Sequence, residues 1–466
     1  MIKLKKQNDS LRFFEGCRNK GEYVMFEIGF YEKEITPPLG CGVPGYFSLR
    51  RGTDVLDRLY ARAVIIKDDC KKIAIISVDG CHPIGRLSDE IAKRIEKFLG
   101  IPRENVMIGF THTHTGIPFA RGGIAFEDDE IVADSIKGYV DVFVRLVADC
   151  AILADLRLEK SMAFFGKGEV RGISFVRDYF MKNSTPRTNP PRTSPDIEGP
   201  VTEADYDLPV LFIKNESGTP KGAVISFACH ADCVSGDKLT GDYVSVLSKE
   251  LKKTYGEDFV TVFLLGCCGN INHFDVSKES DSPDHYVKMG KKLAGEAVKT
   301  IAFASEIKGD TLEASLEYIN IPRLEIEDEK IERAKYYIAT VKPQKGVKLA
   351  ADGTAPEQYN LAMSKRLMNF LATTPKSFNV PLQCIQIGEF TIYGFNSEIF
   401  SDFGKIVKKG DGTGINLVAT LCNDAFGYVP TRDMFYDTIY ESSPGSAQMQ
   451  KEAGYIMAEK LISMKK

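Results

Sequence analysis

The stretch Asn105-Val106-Met107-Ile108-Gly109-Phe110-Thr111-His112-Thr113-His114-Thr115-Gly116 joins an apolar run to a polar turn carrying two of the chain's six histidines. A short apolar run bounded by turn-forming residues reads as a buried strand. In an extended chain residues two apart point to the same side, so both imidazoles can face one site. Three more runs have this form. Residues 222–228 lead to Cys229-His230, 390–395 to Asn396-Ser397-Glu398, and 415–421 to Cys422-Asn423-Asp424, with Tyr428 just beyond. Four buried strands that each release a metal-capable side chain at the carboxyl end describe an open α/β sheet with a site along one edge.

Helical spacing alternates with these strands. Residues 72–78 are apolar, and 88–99 follow with Ile91, Ile95, Phe98 and Leu99 on one face. The unit recurs with 106–110 before a helix over 131–153, 224–228 before a helix over 243–255, and 259–266 before a helix over 285–303. The fold class is α/β, with mixed sheets flanked by helices and a site at the carboxyl ends of strands. No Pro/Ser/Gly-rich linker divides the 466 residues, so a single folded unit is expected over 25–466, behind a flexible extension over 1–24. Residues 172–206 have no apolar period and read as a long loop, carrying Arg177, Arg187 and Arg192 as groups able to meet an acidic or carbonyl function. A second polar stretch, 344–356, reads as surface.

Sixty basic residues against 64 acidic ones, a net charge of -4, give no electrostatic case for nucleic acid or an anionic membrane. A small soluble molecule is the default partner. Eleven cysteines, several within apolar runs, read as reduced thiols of a cytoplasmic protein. The polar start Met1-Ile2-Lys3-Leu4-Lys5-Lys6-Gln7-Asn8 is unlike a signal peptide, and nowhere do 18 apolar residues run together.

Imidazole nitrogen and carboxylate oxygen are the donors that zinc takes in sites with a position open to water. His112, His114, His230 and Glu398 are therefore the candidate metal-site residues. His82 and His273, near other strand ends, are candidate outer partners, whereas His285, beside Asp284, reads as surface. Cys267 and Cys268 read as packing, one of them buried, because adjacent side chains point to opposite faces. The turn Gly266-Cys267-Cys268-Gly269-Asn270-Ile271-Asn272 lacks the lysine of a phosphate loop, and its expected role is to bring Asn270 and Asn272 to a reacting group.

Taken together these motifs resemble the neutral (alkaline, non-lysosomal) ceramidase superfamily of zinc-dependent amidases. The family's opening segment is similar to Glu34-Ile35-Thr36-Pro37-Pro38, and its His-Thr-His-Ser/Thr-Gly-Pro motif to His112-Thr113-His114-Thr115-Gly116, with Ile117 before Pro118. Its second metal histidine resembles Phe227-Ala228-Cys229-His230, and the segment after it Thr240-Gly241-Asp242. Its metal glutamate resembles Asn396-Ser397-Glu398, and its metal tyrosine Asn423 to Thr431 with Tyr428 at the matching place. An active-site tyrosine corresponds to Tyr440, followed by Glu441-Ser442.

The resemblance implies a Zn2+ cofactor on His112, His230, Glu398 and Tyr428, with water activated for attack on an amide or related acyl bond. It implies His114 for proton transfer or oxyanion binding, Tyr440 for the oxyanion, and Asn272 for substrate orientation. Arg177 and Asn270 are the substrate-binding candidates. Two departures stand out. The family's reactive serine falls where this chain reads Asn272, and the immunoglobulin-like appendage of long ceramidases has no counterpart. Both point to a small soluble substrate in place of ceramide, with an esterase or lactonase, or a metal-binding relative without activity, as the alternatives.

Overall fold

The computed structural model describes residues 25–46, 48–120, 123–344 and 356–465. The apolar runs form two stacked sheets. The larger contains β1 (Phe26–Glu34), β2 (Tyr60–Lys67), β3 (Lys72–Val78), β4 (Val106–Phe110), β5 (Glu159–Glu169), β6 (Asp207–Asn215), β7 (Pro220–Phe227) and β8 (Val260–Leu265). Its order is β8-β7-β6-β5-β1-β2-β3-β4, with the short strand Ser305–Glu306 added on β5. The pairs β3/β4 and β7/β8 are parallel, the others antiparallel. The smaller sheet is β9 (Leu312–Pro322), β10 (Ser377–Ile387), β11 (Phe390–Gly394) and β12 (Asn416–Ala419), with only the last pair parallel.

The period-2 alternation of strands divides the apolar side chains between two cores. On β3, Ala74, Ile76 and Val78 pack toward the helices α1 (Gly85–Leu99), α2 (Glu130–Ser135), α3 (Tyr139–Asp155), α4 (Asp242–Tyr255) and α5 (His285–Ala302). Ile73 and Ile75 of the same strand face the other way, into a core shared with Ile385, Phe390, Ile392 and Leu417 of the smaller sheet. Helices α6 (Asp328–Thr340) and α7 (Pro356–Thr373) pair with each other around Ala334, Leu367 and Phe370. The far face of the smaller sheet packs on α8 (Ser401–Gly410) and α9 (Ala453–Ser463) through Val418, Phe403, Val407, Met457 and Leu461. The layers run helix, sheet, sheet, helix, so strands in the middle are buried on both faces and read as continuous apolar runs.

The expected α/β class with mixed sheets flanked by helices is what the structure has; the expectation of one sheet for all the candidate strands is corrected, since they are shared between two sheets, and a run apolar on both faces fits a helix or a second sheet equally well. The helix expected over 131–153 is two helices, parted before Tyr139 by Gly138 at φ 75°. The loop over 172–206 holds a small sheet of Asp178–Met181, Pro186–Thr188 and Ile197–Pro200. The extension over 1–24, and most of the polar stretch over 344–356, lie outside the described residues.

Backbone bonds join the two sheets where the candidate residues leave them. Phe110 N donates to Leu421 O at 3.2 Å, Asn423 N to Ile108 O at 2.7 Å, and Thr420 N to Leu265 O at 2.7 Å. Leu421 and Asn423 adopt φ of 50° and 67° to make these bonds. The ends of β4, β8 and β12 are thus held side by side.

Candidate metal centre

After β4 the chain does not stay extended. His112 takes φ 63°, sparsely populated for a residue with a Cβ, and its N–H donates to Gly80 O at 2.8 Å, tying the turn to the end of β3. The two imidazoles still meet, with ring centres 4.9 Å apart, through this turn and not through strand alternation. His112 Nδ1 lies 2.8 Å from Cys81 O; a carbonyl only accepts, so Nδ1 carries the proton and Nε2 the lone pair. That Nε2 is 3.4 Å from His114 Nε2 and 3.4 Å from Glu398 Oε2.

His230, delivered by β7, places Nε2 3.6 Å from Glu398 Oε2. Glu398 comes from a two-residue parallel pair, Glu398–Ile399 with Tyr428–Val429, in which it lies opposite Tyr428. The turn after β8 closes tightly over it: a Cβ on Gly269 would stand 2.4 Å from Glu398 O, so only glycine fits. Burial alone would raise the carboxyl pKa of Glu398, but the surrounding imidazoles of His112, His230 and His82 outweigh it and hold the group well below the usual range. His82 contributes at 3.1 Å to Oε1, as an outer partner.

These residues fit a metal ion. Both ring nitrogens of His230 and Oε2 of Glu398 are buried with no hydrogen-bond partner, an arrangement that costs stability unless something binds there. Bonds of about 2.0–2.1 Å to a tetrahedral ion put ligand atoms roughly 3.3 Å apart. The separations of 3.4, 3.4 and 3.6 Å match that edge.

His114 is clamped from behind. Its Nδ1 lies 3.4 Å from Asp232 Oδ1, and the same carboxylate oxygen accepts from Tyr46 OH at 2.5 Å. Gly45, at φ 96°, passes so close that a Cβ there would stand 2.5 Å from His114 Cγ. Arg50 Nη2 donates to His114 O at 2.9 Å. Asp232 and Tyr46 were not expected from sequence. Asp232, two residues after His230, was the nearer to being found.

Tyr428 is buried, with the Arg177 guanidinium carbon 5.1 Å from its ring centre and the Tyr440 ring 5.6 Å away. Burial pushes its phenol pKa up, Glu398 adds to that, and Arg177 opposes it. Asn272 Nδ2 donates to Asn189 Oδ1 at 2.7 Å, which fixes the amide near the centre's turn.

The two residues expected to bind substrate have partners within the protein. Arg177 is buried in an ion pair with Glu441, and its Nη2 donates to Gly269 O at 2.6 Å, so its charge is matched within the protein. Asn270 Oδ1 accepts from Ser401 N at 2.8 Å, holding the first turn of α8. Arg187 lies in a strand ladder opposite Tyr179, and Arg192 pairs with Asp281 at 2.5 Å. Cys267 and Cys268 are both buried, since the turn breaks strand alternation. His285 is half-buried, with Nε2 2.9 Å from His273 O, and is not a surface residue.

A cavity of about 300 Å³ lies between α6, α7 and the segment 435–444, and none of the metal-capable residues lines it. Among the described residues no helix is long and apolar enough to cross a membrane.

No family model and no curated protein matches this chain. Solved structures do. The neutral ceramidase from Pseudomonas aeruginosa superposes with a TM-score of 0.69 at 19% identity, over 95% of this chain and 74% of that one. A ceramidase complexed with C2 gives 0.67 at 19% identity, over 94% and 74%. The chain has the neutral ceramidase fold.

Proposed function

We propose that this protein is a zinc-dependent hydrolase that cleaves an amide bond of a small, soluble acyl substrate. The observation that carries the reading is the meeting of His112 Nε2, His230 Nε2 and Glu398 Oε2 at tetrahedral spacing, with the nitrogens of His230 and Oε2 of Glu398 otherwise partnerless. A zinc ion bound there lowers the pKa of its water toward neutrality and polarises the substrate carbonyl. Ceramidases, by their name, open an amide, and this reading carries that bond type over to this chain.

The chain's own groups supply the proton handling. Asp232, held by Tyr46, lies 3.4 Å from His114 Nδ1 and its charge favours the proton on that nitrogen, which leaves the lone pair on Nε2, facing the centre, where a proton can be taken from water and returned to the leaving amine. Tyr440 lies beside Tyr428 to donate to the developing oxyanion, and Asn272 orients the substrate from the position where the resembling family has serine.

The fourth ligand has two assignments. The resemblance gives Tyr428, where the Arg177 guanidinium opposes the rise that burial and Glu398 give the phenol pKa. The 3.4 Å between His114 Nε2 and His112 Nε2 favours His114 instead, with Tyr428 as a neutral phenol that donates to the oxyanion. Metal analysis of wild type, His230→Ala, Glu398→Ala, His114→Ala and Tyr428→Phe, with hydrolysis of short N-acyl amides and matched esters by the holo protein, tests all of this. Zinc in the wild type that His230→Ala and Glu398→Ala strip from this centre, with amide turnover, is the expected result. A protein that neither carries nor takes up metal here would end the proposal.

A further inference from the structure

Among the described residues one other group of metal-capable side chains shares no member with the centre above: Cys233, His273 and His285, whose ligand atoms lie within 4.8 Å of one another. They come from three places, the loop after His230, the turn after Asn272, and the first residue of α5. Met289 stands one helical turn beyond His285, on the same face, and its Sδ is 3.2 Å from Cys233 Sγ.

The imidazoles are set up as donors. His285 Nε2 faces His273 O at 2.9 Å and so carries its proton, leaving the lone pair on Nδ1. His273 Nδ1 is buried without a partner, and the ring centres are 5.3 Å apart.

We propose that Cys233, His273 and His285, with the Met289 thioether as a weaker fourth donor, form a second metal site for a thiophilic first-row ion, zinc or copper. A thiolate, two imidazoles and a thioether make a soft donor set that suits these two ions and disfavours magnesium or calcium. Metal–sulfur and metal–nitrogen bonds of about 2.3 and 2.0 Å require the donors to draw in by roughly 1 Å. The segment between His273 and α5 contains no helix or strand, so the two rings can move together. On binding, the ion takes the Cys233 sulfur as thiolate and the thiol proton passes to solvent. The ion undergoes no change of oxidation state.

The location gives the site a consequence. Residues 230–233 carry His230 and Asp232 to the first centre and Cys233 to the second, so an ion on Cys233 pins the loop that shapes the first. The proposal does not depend on the activity assigned there.

The test is cobalt loading of the metal-free full chain, read by the thiolate-to-cobalt charge-transfer band and by bound-metal stoichiometry. The expected result is about two equivalents in the wild type. His230→Ala is expected to keep one equivalent with the band, and Cys233→Ser to lose the band and one equivalent. His285→Gln provides a second reading should Cys233→Ser fail to fold by circular dichroism, and it too should abolish the band. No band in the wild type would overturn the proposal. So would a band that survives Cys233→Ser, since it would then arise from Cys81 beside the first centre. Loading with cupric ion separates the two metals: an intense visible thiolate-to-copper band that resists zinc competition assigns copper, and its displacement by zinc assigns zinc.

Discussion

His114 touches the centre with one nitrogen and Asp232 with the other, so the carboxylate acts on the chemistry only through the ring it orients. Asp232→Asn keeps the size of the side chain and removes the charge. It is expected to lower kcat on an amide substrate by about 10–100-fold, with zinc content unchanged, as outer partners of catalytic groups commonly do. Steady-state kinetics paired with metal analysis checks this, and loss of the metal with unchanged kcat per bound zinc would assign Asp232 to assembly of the centre instead. His112, His114, His230 and Glu398 were legible in sequence because each follows an apolar run closely. The internal partners of Arg177 and Asn270 were not legible in sequence, for a shared reason. A buried charge or amide takes its meaning from its partners, and Glu441 and Ser401 are remote in sequence from both.

At the scale of elements, α8 starts where Asn270 accepts from Ser401 N, a cap supplied from another part of the chain. Asn270→Ala is expected to cost about 1 kcal/mol or somewhat more, since it leaves a buried N–H unpaired. Chemical denaturation followed by far-UV circular dichroism suits a chain without tryptophan. The other end of α8 carries an acid-sensitive link. Burial alone would raise the pKa of Asp411, but hydrogen bonds from Lys465, Thr413, Asn416 and Tyr393 bring it down from 3.8 to about 2. A depressed carboxyl contributes stability that is fully present above the unfolded value and lost as pH falls through the folded one. The contribution, on the order of 1–2 kcal/mol after allowance for solvent screening, is therefore present above about pH 4 and gone near pH 2. Asp411→Asn should be less stable than wild type at pH 6 by that amount, and the gap should close as the pH approaches 2. A gap that stays constant with pH would show that the pairing is not what stabilises this end of α8.

Over the whole molecule, the stack of two sheets is what brings residues from 112 to 428 to one place. Leu264, fully buried between the sheets with Met107, Ile392 and Leu417, bears on both. Leu264→Ala is expected to cost about 2–5 kcal/mol by urea titration, the range for a leucine removed from a packed core. A cost well under 1 kcal/mol would mean that the sheets close over the gap. The sequence by itself determined the α/β class, the approximate strands and helices, and the strand-end residues whose chemistry makes them candidate metal donors. These follow from periodicity and residue chemistry, which are local. Only the tertiary structure decided that the strands lie in two stacked sheets, because an apolar face does not encode whether a helix or a sheet covers it. It alone made the left-handed turn at His112, the clamp of Tyr46 and Asp232 on His114, and the meeting of Cys233 with His273 and His285. Each of these depends on which remote backbone and side-chain groups are within hydrogen-bonding or packing reach, and that is set by the packing of the layers.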